Sequence, residues 1–302
     1  MSDATQINQP DSGTESSSAP GAALIGFLVV LGGMLLIFAN STGFKLLPPL
    51  LPKAISTYAE DMDFLFWVIF WLTGFFFVLT EGLLIYFCIR FRAKDGGKAE
   101  HTHGNHKLEL IWTFIPGVIL FFLAIFQLGL WGDIKVVSKM PAEDDPNVQH
   151  IQVFAKQFEW YFRYPGADGE FGTKDDLTTL AELRVPVNKK VRIQMRTRDV
   201  LHSFFLPNAR LKQDLLPGHT VPQWFEITET GKYDLMCAEL CGAGHTRMSG
   251  SLIVLSQEDF DAWAKEAAET SAGFGGHNPD SLKREPIWYW WTRRYVRGGK
   301  KK

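Results

Sequence analysis

The sequence has few cysteines and little net charge. Its 302 residues include 3 cysteines, which is too few for a disulfide framework. A formal net charge of −2 excludes a generally basic protein that binds nucleic acid. A Cys-x-x-Cys-His motif is also absent, so the chain attaches no haem of the c type. Two of the cysteines, Cys237 and Cys241, lie close together, which points to metal or redox chemistry.

Apolar and aromatic residues are concentrated in the first 131 positions. Three apolar segments, 22–39, 64–90 and 110–131, each approach or exceed the ~20 residues that a bilayer core requires. Residues 1–21 before them are mostly polar and rich in Ser, which predicts a disordered N-terminus. The sequence therefore predicts a membrane protein with two or three spans.

Positive residues set the expected orientation of these spans. Arg90, Arg92, Lys98 and Lys107 lie between the second and third segments, so this loop should face the cytoplasm. Segments two and three then form a transmembrane helix hairpin within 60–131, and the chain after residue 132 emerges on the opposite face. The first segment lacks the basic start of a signal peptide, which favours a retained membrane helix. An atypical, cleaved signal is the alternative.

From about residue 148 the pattern changes to short β-rich runs separated by turns. Strands are predicted at 148–153, 158–164, 180–185, 190–197, 221–228, 233–237 and 251–255. This spacing suggests a sandwich or a Greek-key barrel over 132–269. Ser256 to Asp259 resembles a capping box that opens a helix ending near Glu269. The remaining tail, 270–302, is aromatic and basic; contact with anionic lipid, docking on a partner and a disordered end all stay open.

The densest group of possible metal ligands lies in one run, Cys237-Ala-Glu-Leu-Cys241-Gly-Ala-Gly-His245-Thr-Arg-Met248. Its two thiolates can converge only if the loop curls back, and glycines 242 and 244 make such a turn cheap. Soft sulfur ligands with imidazole favour copper over hard cations. A mononuclear blue-copper site needs one cysteine, so the second cysteine exceeds that requirement.

A second imidazole for a two-metal site would come from Asp199-Val-Leu-His202-Ser-Phe. His202 follows a predicted strand in an apolar context, where a packed core histidine is the plain alternative. Zinc also binds two cysteines and two histidines, although Met248 would then have no role. A disulfide between Cys237 and Cys241 is a further alternative outside the cytoplasm.

These motifs, together with His103-Gly-Asn…Leu108-Glu109-x-x-Trp112-Thr…Pro116, resemble subunit II of the haem–copper cytochrome c oxidases. The similarity covers roughly residues 60–268. It implies a membrane α-helical hairpin, with a probable third N-terminal helix, followed by an all-β cupredoxin-like Greek-key domain. It also implies a dinuclear CuA centre of two copper ions, with ligands from His202, Cys237, Cys241, His245, Met248 and the backbone carbonyl of Glu239.

The resemblance also implies an activity and partners. Electrons would enter the copper centre from cytochrome c and pass to haem in subunit I, where oxygen is reduced to water with proton translocation. The partners would be subunit I, other oxidase subunits, cytochrome c and the membrane, with no nucleic acid. The expected location is a bacterial plasma membrane, with the copper domain on the periplasmic or outer side.

Further positions carry expected roles by resemblance alone. The side chain of Glu239 matches the acid that reaches a magnesium or manganese ion at the subunit I boundary. Glu109 matches the acid at the cytoplasmic mouth of a proton pathway, and the plain alternative is a solvated carboxylate at the membrane edge. Phe158 stands where the family often has the tryptophan of electron entry, two residues before Trp160, so the donor and entry route stay open. Asp199 and Asp214 match acids near the interface of the copper domain, and the alternative for either is an ordinary turn residue.

Other protein classes fit the sequence less well. A quinol oxidase subunit lacks the copper cysteines, and nitrous oxide reductase needs a large histidine-rich propeller that 8 histidines cannot supply. A nitric oxide reductase with a copper domain stays open, because the partner decides the chemistry. A thioredoxin-like copper chaperone would lack His245 four residues after the second cysteine. A simple anchoring or assembly protein leaves the ligand set unexplained.

Overall fold

The computed structural model describes residues 19–40, 49–92, 98, 101–173 and 175–270. The polar start of the chain up to residue 18 and the tail after residue 270 lie outside the described residues, so the predictions made for them stay predictions. The described chain forms two compact units. One contains the described residues up to 50 and those within 67–105, and the other contains 51–66 and the described residues within 106–270.

Three apolar helices precede the β-domain: α1 (Ala19–Ala39), α2 (Ala59–Arg90) and α3 (His106–Lys135). Helices α2 and α3 are long and apolar enough to cross a membrane, and their apolar windows are not buried within the protein. The 32 residues of α2 give a length of ~48 Å, which exceeds the ~30 Å hydrocarbon core. The predicted membrane helices are thus confirmed, while retention or cleavage of α1 stays a prediction.

The β-domain is a sandwich of two five-stranded sheets. One sheet has the strand order β3-β2-β1-β5-β8 and the other β4-β10-β9-β6-β7. The strands are β1 (Gln149–Lys156), β2 (Glu159–Tyr164), β3 (Leu177–Leu180), β4 (Glu182–Pro186), β5 (Lys190–Thr197), β6 (His202–Leu206), β7 (Leu211–Leu215), β8 (Val221–Glu226), β9 (Gly231–Cys237) and β10 (Ser249–Leu255).

Alternating apolar residues build the core between the sheets. In β1, Ile151, Val153 and Ala155 are buried while their neighbours are partly exposed, as the period of two predicts. Trp160 of β2 and Phe204 of β6 are fully buried and meet edge to face with ring centroids 5.7 Å apart. Because these rings come from different sheets, their contact holds the two layers together.

Three strands were missed by the sequence pattern. Strands β6 and β7 pair with each other, although neither was predicted. The predicted strand 180–185 corresponds to β4, and the separate strand β3 ends just before Ala181, which adopts a positive φ of 58°. The last helix is confirmed as α4 (Gln257–Thr270): the backbone N–H of Asp259 donates to Ser256 Oγ at 3.0 Å.

Arg210 ties the β-domain to the start of α2. Its guanidinium donates two hydrogen bonds to the carboxylate of Asp63, at 2.6 Å and 2.8 Å. The same guanidinium donates to the carbonyls of Pro207 and Pro52. Both charged side chains are largely buried, at 11% and 23% exposure, so this bidentate pair is stronger than an exposed ion pair.

We expect Asp63→Asn to destabilise this unit, because it leaves the Arg210 charge without its counterion. The free energy of unfolding should fall by about 2 kcal/mol, which lowers the unfolding temperature by about 5 °C. Thermal unfolding of the full chain in detergent measures this change. The matched control is Glu229→Gln in the exposed Lys53–Glu229 pair, which should change stability by less than about 0.5 kcal/mol. Equal effects of the two variants would contradict the role given to Asp63.

Candidate metal centre

Strand pairing brings distant parts of the chain to one site at the end of β9. Strand β9 lies between β6 and β10, and Cys237 at its end is opposite Phe204 of β6. The N–H of Cys237 donates to the Met248 carbonyl at 3.1 Å, and the N–H of Ala238 donates to the Ser203 carbonyl at 3.0 Å. These two bonds fix both ends of the loop 237–248 beside the first residue of β6, His202.

The possible ligand atoms of this loop form a chain of close contacts. Cys237 Sγ lies 3.9 Å from Cys241 Sγ and 3.9 Å from His202 Nδ1. Cys241 Sγ lies 3.6 Å from His245 Nδ1 and 3.7 Å from Met248 Sδ. The donor atoms of His202, Cys237 and Cys241 all lie within 4.8 Å of one another. The structure thus brings together all the side chains that the sequence marked as ligands.

This donor set fits copper. A metal–thiolate bond is ~2.3 Å long, so two sulfurs 3.9 Å apart can both reach one ion. Both cysteines are free, and their separation excludes a disulfide in this structure. A tetrahedral zinc site would use four ligands and leave the buried thioether of Met248 idle, whereas copper accepts a weak thioether ligand. The plain interpretation of His202 as a packed core residue does not account for its ring nitrogen beside Cys237.

Asp199 orients the fully buried imidazole of His202. Its Oδ1 lies 2.8 Å from Nε2 of His202, so Nε2 carries the proton and Nδ1 is left facing the sulfurs. The other oxygen accepts from the backbone N–H of Gln157 at 2.6 Å. Burial raises the pKa of Asp199, but hydrogen bonds from His202 and from backbone amides outweigh it and lower the pKa below its usual range. The carboxylate therefore stays charged.

The two thiols differ in acidity. Burial raises the pKa of Cys237, but its interactions with the His202 ring and with the backbone outweigh burial and bring the pKa to about 6. Burial, followed by the charge on Cys237, raises the pKa of Cys241 to about 11. One thiolate thus lies beside one thiol near neutral pH. A cation between the sulfurs would favour the second thiolate as well, because thiol ligands bind metals deprotonated.

The two glycines of the loop meet different requirements. Gly242 has a φ of +132°, which side chains rarely adopt. Gly244 has ordinary φ, but a Cβ there would lie 2.5 Å from the ring of Phe158. The side-chain amide of Gln157 donates to the Cys241 carbonyl at 2.5 Å. The turn between β1 and β2, residues 157 and 158, therefore packs directly on the ligand loop.

The remaining sequence candidates lie in different surroundings. Trp160 is fully buried, with its ring centroid 6.2 Å from that of His202, so it supports the site from the core. The Glu239 carbonyl lies 3.3 Å from Cys237 Sγ, and its side chain is partly exposed. Asp214 accepts from Ser203 Oγ at 2.6 Å, in the register of β6 and β7. Glu109 is in the first turn of α3, 3.2 Å from His106 Nδ1, and is not part of the metal centre.

Two contacts of the site were not identified from sequence: the bond from Gln157 to the Cys241 carbonyl and the bond between Asp199 and His202. The expectation that Asp199 lies near an interface stays a prediction. The spacing of Asp199 three residues before His202 was visible, but the same spacing occurs in ordinary turns. The hydrogen bond depends on the conformation of the turn between β5 and β6. Only the structure therefore distinguishes an aspartate that binds His202 from an aspartate in an ordinary turn.

Comparisons with known proteins match both parts of the chain. The model for "Cytochrome C oxidase subunit II, periplasmic domain" matches residues 153–256, and the model for the transmembrane domain of the same subunit matches 42–130. An alternative cytochrome c oxidase subunit 2 of Bradyrhizobium diazoefficiens is 32% identical over 269 residues, covering 81% of this chain and 94% of the relative. Cytochrome c oxidase subunit 2 of Thermostichus vulcanus is 31% identical, covering 72% and 78%.

Solved structures are also similar to the β-domain. Among them is the periplasmic domain of subunit II of cytochrome oxidase from Bradyrhizobium japonicum, with 28% identity and a TM-score of 0.37. The match covers 43% of this chain and 98% of that one. At this TM-score the structural match adds no weight to the sequence matches.

We expect Gly244→Ala to weaken copper binding, because the new methyl group would displace Phe158 or the ligand loop. Overpacking of this kind costs about 1–3 kcal/mol, so the copper affinity should fall about tenfold or more. Titration of the full chain with copper against a competing chelator measures the change. Ala243→Ser, at the exposed neighbouring position, is the control and should bind copper normally. Unchanged affinity in the Gly244 variant would show that the Phe158 contact is not needed.

Proposed function

Because the chain belongs to the family of cytochrome c oxidase subunit II, we propose that its β-domain receives electrons from cytochrome c at two copper ions and delivers them to haem in subunit I. The observation that carries this proposal is the convergence of Cys237 and Cys241 with two imidazoles and a thioether. A site with both thiolates between the imidazoles offers ligands for two ions rather than one.

The residues proposed to hold the copper are His202, Cys237, Cys241, His245, Met248 and, through its backbone carbonyl, Glu239. When bound, the copper pair supplies one-electron redox chemistry. The chain contributes a site whose ligands hold their positions: the loop is closed by backbone hydrogen bonds, and the His202 ring is fixed by Asp199. A fixed ligand set needs little rearrangement when an electron arrives or leaves.

Burial gives the site a low-dielectric environment. His202 is fully buried, and Cys237, Cys241 and Met248 are each less than a tenth exposed. Water therefore has little access to the sulfurs, which limits side reactions of the thiolates. Trp160 fills the space behind His202 and keeps that side dry.

Phe158 is the residue proposed for electron entry. Its ring is partly exposed and lies against Gly242 and Gly244 of the ligand loop. It therefore lies between the loop and the surface, where a donor protein can reach it. Trp160 is assigned the supporting role, because it has no exposed surface.

The remaining proposals concern subunit I and the membrane. The partly exposed side chain of Glu239 is proposed to bind a magnesium or manganese ion shared with subunit I. Glu109, with nearly half of its side chain exposed at the start of α3, is proposed as the entry of a proton pathway. The protein is a membrane protein with a periplasmic domain, and the membrane is proposed to be the bacterial plasma membrane.

Cys241→Ser should abolish the two-copper centre, because it removes one of the two thiolates that would hold the copper and a serine hydroxyl is a poor copper ligand. Copper content and electron paramagnetic resonance of the copper-loaded full chain give the measurement. The wild-type chain should bind two copper ions, with one unpaired electron split by both nuclei. The control is Cys88→Ser, which removes an exposed cysteine of α2 and should change neither property. A normal two-copper spectrum in the Cys241 variant would contradict the ligand assignment.

Phe158→Leu should slow electron entry several-fold while copper content stays normal, since leucine keeps the apolar packing on the loop but removes the ring. Stopped-flow reduction of the assembled oxidase by reduced cytochrome c measures the rate. The control is Phe154→Leu, which removes an outward-facing ring of β1 that packs under Arg163 instead. Identical rates in wild type and the Phe158 variant would assign electron entry to another residue.

A further inference from the structure

A second concave site lies on the β-domain, and none of its lining residues belongs to the candidate metal centre. It is a cavity of about 430 Å³ between the segment before β1, the turn after β2 and helix α4. We call it the acidic cavity, and its principal lining residues are Glu143, Asp144, Asp145, Tyr164, Phe260 and Trp263. Its volume is in the range of pockets that bind small molecules or one or two large side chains.

The floor of the acidic cavity is aromatic. Tyr164 and Phe260 are buried at 2% and 6% exposure, and both rings pack edge-on or tilted against Trp263, at centroid distances of 5.2 Å and 5.4 Å. The guanidinium of Arg184 already lies 5.2 Å from the Trp263 ring. This floor therefore suits aromatic side chains and cations, which aromatic faces attract.

The rim of the acidic cavity is negative. It carries three consecutive acids, Glu143 to Asp145, against one lysine, Lys189. Glu143 is paired with Arg192 at 2.7 Å, and Asp145 accepts hydrogen bonds from Asn147. Among the described residues, the exposed carboxylate of Asp144 has no ion-pair or hydrogen-bond partner. The cavity therefore has an aromatic floor and an uncompensated negative edge.

The same chain contains a segment of matching composition outside the described residues. Residues 287–297, Ile-Trp-Tyr-Trp-Trp-Thr-Arg-Arg-Tyr-Val-Arg, combine five aromatic residues with three arginines and contain no acid. Helix α4, which supplies Phe260 and Trp263, ends at Thr270, and sixteen residues separate it from this segment. At ~3.3 Å per residue those sixteen can span up to ~53 Å, so reach does not limit a return to the cavity.

We propose that the acidic cavity binds the aromatic and basic segment 287–297 of the same chain, with an aromatic side chain on the floor and arginines at the rim. Charge complementarity favours this occupant, and the covalent link to α4 gives the segment a high effective concentration at the cavity. The proposal does not depend on the copper centre. It accounts for the occurrence of a negatively rimmed cavity with an aromatic floor and an aromatic, basic tail in one chain.

Limited chymotrypsin digestion of the full chain in uncharged detergent tests this docking, with cleavage after residues 288–291 followed by mass spectrometry. The wild-type segment should be protected. Asp144→Lys should speed cleavage about fivefold, because it turns attraction at the rim into repulsion. Combining Asp144→Lys with Arg293→Glu and Arg294→Glu should restore protection. The control is Asp234→Lys, which changes an exposed acid of β9 outside the cavity and should leave protection unchanged.

A second measurement locates the segment directly. A photoreactive benzoylphenylalanine in place of Trp290 should crosslink to the α4 residues 260–264 in the isolated full chain. Protection that appears only with phosphatidylglycerol vesicles would overturn the proposal in favour of a lipid surface. Protection that appears only in the assembled oxidase would overturn it in favour of another subunit. Cleavage rates that ignore Asp144→Lys, together with crosslinks elsewhere, would also overturn it.

Discussion

The pairing of β9 with β6 on one side and β10 on the other is the constraint on which the candidate metal centre depends. It places Cys237 beside His202, thirty-five residues earlier in the chain, and beside Met248, at the far end of the loop. Both ends of the loop between Cys237 and Met248 are therefore fixed, and only the residues between them can change conformation. A copper site built in this way takes its ligand distances from hydrogen-bonded strands, which position side chains more precisely than loops do.

The sheet that contains β1, β2 and β5 also contributes contacts to the candidate metal centre. Residues 157 and 158, between β1 and β2, contact the ligand loop through the Cys241 carbonyl and the two loop glycines. Asp199, which follows β5 of the same sheet, receives the backbone N–H of Gln157 and binds the ring of His202. One carboxylate thus links the turn of one sheet to a proposed ligand on the other. The packing of the two sheets against each other therefore completes the site.

The elements predicted correctly from sequence are those that depend on residues close together in the chain. Helices α2 and α3 were predicted because an uninterrupted apolar run suffices for a membrane span, and α4 because its cap is a contact between neighbours in sequence. Strands β6 and β7 were missed for the opposite reason. Their register pairs Ser203 with Asp214, which satisfy each other by a 2.6 Å hydrogen bond. Two polar residues that are partners across strands look like loop residues when each is seen alone.

By itself, the sequence predicted the membrane helices and identified the side chains of the candidate metal centre, because apolar length and ligand type are properties of the residues themselves. The tertiary structure decided which histidine nitrogen faces the sulfurs, why Gly244 has no side chain and where the acidic cavity lies. Each of these depends on atoms from segments that are distant in sequence. The sequence shows only how many residues separate two positions. The contacts of Asp199 with His202 and of Phe158 with Gly244 form only when the two sheets pack together.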